Sequence, residues 1–225
     1  MRADTPAVVQ VTGASSGIGR ATAVRWAREG HHLALVARDP SGLAATAAEC
    51  EAAGAASVMT PAADVGDDAE VAACVEKVLA EHGRIDVALS NAGVVAYGRT
   101  EEVPAGVFDA VLRTNLVGSV NLTRHVLPVL RAQRAGTIVY VGSVVGHLAV
   151  PTMAPYVISK WGVRALARHV QLENRDLSGV RVRYVAPGAV DTPIYHQAAN
   201  YSGSSASPTT PSSRSSSACR GPTTR

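Results

Sequence analysis

Between residue 7 and about residue 186 the spacing of apolar positions switches repeatedly between short continuous runs and helical repeats. Ala7 to Thr12 is a short apolar run that stops at Gly13, as a buried strand does. Gly17 to Glu29 reads as a helix closed by Gly30, and Leu33 to Ala37 as the next buried strand. Asp39 followed by Pro40 predicts a second helix, with the carboxylate as cap and proline in the first turn. Ser57 to Thr60 is a third strand. Val71, Cys74, Val75, Val78 and Leu79 then fall on one helical face that ends at Gly83. A fourth strand over Ile85 to Leu89 precedes a long helix from about Val107 to Gln133. Thr137 to Val141 is a fifth strand, Met153 to Leu177 a helix, and Val180 to Val185 a sixth strand.

Strands alternating with helices over short connections are most simply satisfied by parallel pairing with right-handed crossovers on both faces. The fold class expected is therefore α/β: a doubly wound parallel sheet in three layers, of Rossmann type, over residues 1–200. From about Tyr201 to Arg225 the chain is Ser, Thr, Pro, Gly and Arg with little to bury, and a low-complexity, disordered tail is expected.

Composition narrows the function. The 225 residues are 47% apolar, enough for one sizeable core, and only 4% aromatic. A net charge of +3 with no basic block in the first 200 residues gives no reason to expect a nucleic-acid partner. The first residues lack the pattern of a signal peptide, and no run approaches the ~18 apolar residues of a membrane span. Cys50, Cys74 and Cys219 are far apart and odd in number, so reduced thiols in a cytoplasmic protein are expected. His31, His32, His125, His147 and His169 have no metal-ligand spacing, and no metal is expected. His147 alone is a candidate for the substrate mouth.

The predicted strand ends carry the chemistry, as they do in doubly wound sheets. Gly13, Ser15, Ser16, Gly17, Ile18 and Gly19 join the first strand to the first helix. Glycines there either serve a tight turn or let the backbone approach a pyrophosphate at the positive end of the helix. Thr12-Gly13 followed by Gly17-Ile18-Gly19 resembles the cofactor signature of the short-chain dehydrogenase/reductase family, and the likeness extends to about residue 195.

At the end of the second strand, Ala37 stands where an acid would grip ribose hydroxyls, and Arg38 follows it. A guanidinium there is either a solvated charge or a fork for a 2′-phosphate. NADP is the cofactor expected, with NAD as the other possibility. Asp64-Val65 resembles the family's pair beside the adenine ring. Asn91-Ala92-Gly93 resembles its cofactor-lining turn, with Ser90 where the family usually has Asn.

Tyr156 and Lys160 are i and i+4 on a predicted helix and so share a face. Such a pair alone is commonly an amphipathic surface feature. In a pocket the ammonium would lower the phenol, which titrates near 10 unaided, by roughly 1–3 units. The resemblance implies a tetrad: Tyr156 as acid/base, Lys160 as its activator and ribose ligand, Ser143 holding the substrate oxygen, and Asn115 anchoring a proton-relay water. Pro187, Gly188, Val190 and Thr192 resemble the segment that lies against the nicotinamide.

The activity implied is hydride transfer between the nicotinamide and a small-molecule carbonyl or alcohol. A homodimer or homotetramer is implied through the long central helices. Beyond Thr192 the likeness weakens: Ile194 to Asn200 can begin a substrate cover, and the family's final strand is expected to be missing. The abrupt change of composition suggests a shifted reading frame as its origin. The alternative reading is a cofactor-binding protein without turnover.

Overall fold

A computed structural model describes residues 5–202 of the chain. Six strands form one parallel sheet in the order β3-β2-β1-β4-β6-β7: β1 is Val8–Thr12, β2 His32–Val36, β3 Ser57–Met59, β4 Val87–Ser90, β6 Gly136–Val141 and β7 Val180–Val185. Each crossover carries helix: α1 (Gly17–Ala27), α2 (Pro40–Ala53), α3 (Asp68–His82), α4 (Ala105–Leu112), α5 (Gly118–Gln133) and α6 (Ala154–Glu173). The order reverses at β1, whose two neighbours are β2 and β4, so a crevice opens beyond the carboxyl ends of these strands.

The apolar period set by the sequence builds two cores, one on each face. Val71, Val75 and Val78 of α3 pack with Leu122, Val126 and Leu130 of α5 and with Val163, Ala167 and Val170 of α6 against Ala88, Ile138 and Tyr140. On the other face Ala23 and Ala27 of α1 and Leu43 and Cys50 of α2 meet Val9, Val11, Leu33, Leu35 and Leu89. The second layer stops short of β7: Arg181, Arg183 and Val185 are exposed while Val180 and Val182 are buried. Among the described residues the sheet ends at β7.

Three features depart from the sequence reading. The helix expected over Val107 to Gln133 is interrupted by a π turn, Arg113–Val117, closed by a bond from the Gly118 N–H to the Arg113 carbonyl. The helix expected to run to Leu177 ends at Glu173. A small parallel pair was not foreseen: β5 (Ala96–Tyr97) pairs with β8 (Ala199–Asn200), and Tyr201 N–H donates to Tyr97 O at 2.7 Å. Residues 201 and 202, assigned to the disordered tail, thus continue an ordered segment; residues 203–225, the rest of that tail with Cys219, lie outside the described residues.

Candidate active site

A cleft of about 430 Å³ lies across the carboxyl ends of the strands. Every site residue inferred from the sequence lines it, except Gly19 and Asn115, which are packed behind its wall. Gly13 and Gly17 hold left-handed backbone, φ 66° and 53°. A Cβ on Gly19 would stand 2.2 Å from Gly13 O and 2.6 Å from Asn91 Nδ2, so the turn closes only around glycine. Thr12 fastens this turn to the next loop: its hydroxyl donates to Leu89 O at 3.1 Å and accepts the Asn91 and Ala92 N–H groups at 3.0 and 3.2 Å. The Asn91 side-chain amide donates to Thr12 O and Gly13 O at 3.0 and 3.2 Å.

The helix ends are not alike. Asp39 accepts the Ser41 and Gly42 N–H groups and caps α2, as the sequence predicted, and Asp67 accepts the Glu70 N–H and caps α3. The α1 N-terminus opens into the cleft with no side-chain cap and no acid in its first turn. Free amides at the positive end of a helix dipole, approached by a glycine turn, fit the pyrophosphate of a dinucleotide. Gly17 also faces Thr192, whose Cβ would stand 3.4 Å from an added Cβ, so the two inferred cofactor segments meet across the cleft.

At the outer end of the crevice Ala37 is buried and bridges to Ala62, leaving no acid at the position where one would hold a ribose. Arg38 is 61% exposed, and its guanidinium stands 3.8 Å from Asp64. An ion pair that loose and that wet holds its partners weakly, so the guanidinium is available to a phosphate. The Asp64 carboxylate also accepts the Gly66 N–H at 2.8 Å, which fixes the loop carrying Val65.

At the inner end Tyr156 and Lys160 project from one face of α6. Ser143 lies two residues beyond the end of β6 and caps a 3-10 turn, Val144–Gly146. The Tyr156 phenol lies beside Ser143 in the cleft lining. Lys160 is 4% exposed, donates to Val141 O at 2.9 Å, and lies 5.5 Å from the centre of the Tyr156 ring. The sequence expectation of a lowered phenol is not met. Burial pushes Tyr156 up to about 12, the neighbouring Ser143 hydroxyl lowering it only in part, and burial brings Lys160 down to about 8. The expectation weighed the charge of the ammonium; desolvation of both groups outweighs it.

Asn115 sits in the π turn and is 1% exposed. Its amide oxygen accepts Val94 N–H at 2.8 Å, and its amide nitrogen donates to Val94 O and Ser159 Oγ, each at 2.9 Å. Both amide hydrogens are thus engaged, while the side-chain oxygen and the backbone carbonyl, which accepts the Ser119 hydroxyl at 2.7 Å, each keep one lone pair for a relay water. Ser90, the departure noted in the sequence, donates to that same Ser119 at 2.9 Å.

Sequence reasoning missed Ser159, whose hydroxyl donates to Tyr156 O at 2.7 Å and so joins the tyrosine to Asn115. It read Thr12 only as part of a turn. It also missed Val94 and Val95 of the lining; Ile194, Tyr195 and Gln197 line it from the segment expected to begin the substrate cover, though none was singled out. His147, the candidate for the mouth, is not in the lining and stacks on Tyr184 at 5.7 Å. Among the described residues no three His, Cys, Asp or Glu side chains form a metal-binding group, and no helix is long and apolar enough to cross a membrane.

Comparison with known proteins accords with this geometry. A family profile described as short chain dehydrogenase matches residues 7–201. Levodione reductase of Leifsonia aquatica is 41% identical over 192 residues, 84% of this chain and 72% of the relative. Among solved structures, an alcohol dehydrogenase from the archaeon Thermococcus sibiricus complexed with 5-hydroxy-NADP superposes with a TM-score of 0.79 at 36% identity, covering 84% of this chain and 79% of that one. A short-chain dehydrogenase/reductase from Burkholderia phymatum in complex with NAD gives a TM-score of 0.82 at 33% identity, covering 87% and 70%.

Proposed function

This chain belongs to the short-chain dehydrogenase/reductase family, an NAD(P)-dependent group of oxidoreductases, and we propose that it reduces a carbonyl compound, or oxidises the matching secondary alcohol, with NADP. One observation carries the reading: Ser143 and Tyr156, with Lys160 buried beside them, line the same cleft as the uncapped N-terminus of α1. A bound nicotinamide dinucleotide supplies or accepts the hydride.

The residues of the chain manage the proton and the developing charge. With its phenol held near 12, Tyr156 is fully protonated at neutral pH and is poised to donate to the alkoxide as it forms. The Ser143 hydroxyl, beside that phenol in the lining, shares the substrate oxygen and spreads its charge. Lys160, titrating near 8, carries its proton through neutral pH and stabilises the phenolate left by the transfer. Asn115 fixes α4 and α5 to the Val94 loop, and its oxygens are the points from which a water would reach Lys160.

The choice of NADP rests on Arg38 beside a non-acidic Ala37. Exposed Val117, Ile158 and Trp161 on the π turn and α6 offer an apolar surface suited to a second copy, which supports a homodimer or homotetramer. Cys50 and Cys74, buried and unpaired, with burial raising Cys50 to about 11, suit a reducing cytoplasm.

The test is a thermal titration with each cofactor followed by a carbonyl panel. Saturation with NADPH at ~100 times its Kd should raise Tm by roughly 5–10 °C, and NADH at the same concentration by less. Binding without oxidation of NADPH by any carbonyl would replace this reading with that of a cofactor-binding protein.

A further inference from the structure

The chain is poor in aromatic residues, yet Tyr156 and Tyr195 line one cleft and Tyr97 and Tyr184 lie near them. Tyr140 alone is in the core, fully buried between β6 and α5. Tyr156 stands at the reacting end of the cleft, and Tyr195 lines the same cleft from the segment after Thr192. Tyr97 belongs to β5, and its carbonyl is bound by Tyr201 N–H from the far side of that segment. Tyr184 lies against Gly142, where a Cβ would stand 2.2 Å from its hydroxyl, and its phenol reaches towards Ser143 O at 3.5 Å. Tyr97, Tyr184 and Tyr195 all lie within electrostatic reach of the Tyr156 hydroxyl, and Tyr195 within reach of Tyr97.

The charges of the cleft are distributed in the opposite way. Arg38, Asp39 and Asp64 all lie at its outer end, at the ends of β2 and β3. At the reacting end the lining is Val94, Val95, Ser143, Ile194, Tyr195 and Gln197, and among the described residues Lys160 is its sole cation. That ammonium is 4% exposed and spends one of its three N–H groups on Val141 O, so it offers little surface to a substrate anion. A carboxylate or phosphate entering here would lose water and find little to replace it. An apolar ring would meet the Tyr195 side chain and the aliphatic Val94, Val95 and Ile194.

We infer that the substrate is an uncharged carbonyl compound bearing an apolar ring, and that Tyr195 is the residue that selects it. The inference rests on the oxidoreductase reading above.

The experiment compares three ketones by NADPH oxidation: a cyclohexanone carrying a methyl ester, the same ring ketone as its free carboxylate, and an open-chain ketone of the same carbon count as cyclohexanone. The ester should exceed the carboxylate in kcat/KM by at least about tenfold. Tyr195→Ala should lower kcat/KM for the ring ketone about tenfold, mainly through KM, and for the open-chain ketone about twofold or less. Tyr195→Phe should restore the preference for the ring. An unchanged NADPH-induced rise in Tm serves as the check that each variant folds and binds cofactor.

A carboxylate reduced as well as its ester overturns the inference while leaving the oxidoreductase reading intact. So does a Tyr195→Ala variant that loses ring and open-chain ketones equally. If the cofactor-loaded protein reduces no ketone at all, both readings fall together.

Discussion

The floor and the cover of the cleft are held in different ways. The floor is fixed by buried side chains that bond to backbone across long stretches of sequence: Thr12 to Leu89 and Asn91, Asn115 to Val94 and Ser159, Lys160 to Val141. The cover, from Pro193 to Ser202, is half exposed and is tied down by the two-residue pairing of β8 with β5 and by single backbone bonds such as Tyr201 N–H to Tyr97 O. A group that is both buried and bonded is costly to disturb, whereas a wet backbone bond contributes little. On the proposed reading, chemistry falls on the part that is costly to disturb, and selection of substrate on the part that is cheap to alter.

The comparison breaks most readily at the floor. Tyr156→Phe should lower kcat by about 10²–10⁴-fold while leaving the NADPH-induced rise in Tm largely in place, because the ring stays and only the proton is lost. Equal activity in the variant would move the acid to another group. Asn115→Ala leaves Val94 and Ser159 without their partner in a buried setting, at a cost of about 2–3 kcal/mol. A fall in Tm of roughly 5–10 °C measured by calorimetry is expected. A fall of under about 1 °C would show that the π turn does not depend on this side chain.

A pH series sharpens the contrast further. Lys160 titrates near 8 in the folded protein and near its ordinary 10.5 when unfolded, so between those values the unfolded chain binds more protons. Stability of the cofactor-free protein should therefore rise with pH across that window relative to Lys160→Met, by about 1–3 kcal/mol in urea melts. Tyr156 has the opposite sign: its folded value near 12 lies above the unfolded 10, so stability is lost between them. Comparison with the methionine variant removes that contribution and those of the buried thiols. Parallel pH profiles for parent and variant would mean that Lys160 is hydrated in solution.

The smallest effect belongs to the cover. Tyr201→Pro deletes the N–H that binds Tyr97 O and should cost about 0.5–1 kcal/mol or less, with cofactor affinity unchanged and substrate KM altered a few-fold. A loss of stability comparable to that of Asn115→Ala would erase the distinction between floor and cover.

Much of the floor was legible in the sequence because it follows from rules of spacing. The run ending at Gly13, the helix beginning at Gly17 and the i, i+4 pair of Tyr156 and Lys160 each obey a fixed period, and the period survives folding. Ser159 escaped notice because a serine inside a helix has the same appearance whether its hydroxyl faces water or, as here, a buried amide 44 positions away. The direction of the Tyr156 shift was misjudged because sequence spacing brings the ammonium near the phenol but does not say how much water both lose. The β5–β8 pair had no signal: two residues are too few for an alternation, and the pairing spans about a hundred positions. Tyr195 was passed over for a related reason, since its segment has no period to place it.

The π turn at Arg113–Val117 makes this enzyme sensitive to length as well as to residue type. It holds one residue more than an α-helical turn, and α4 and α5 are phased around that surplus. Deleting a residue there would restore an ordinary helix, but each residue of an α-helix turns the face by about 100°. Asn115 and the apolar face of α5 could then no longer both keep their partners. Evolution can exchange side chains along this helix one at a time, whereas a change in its length would require both halves to be refitted at once.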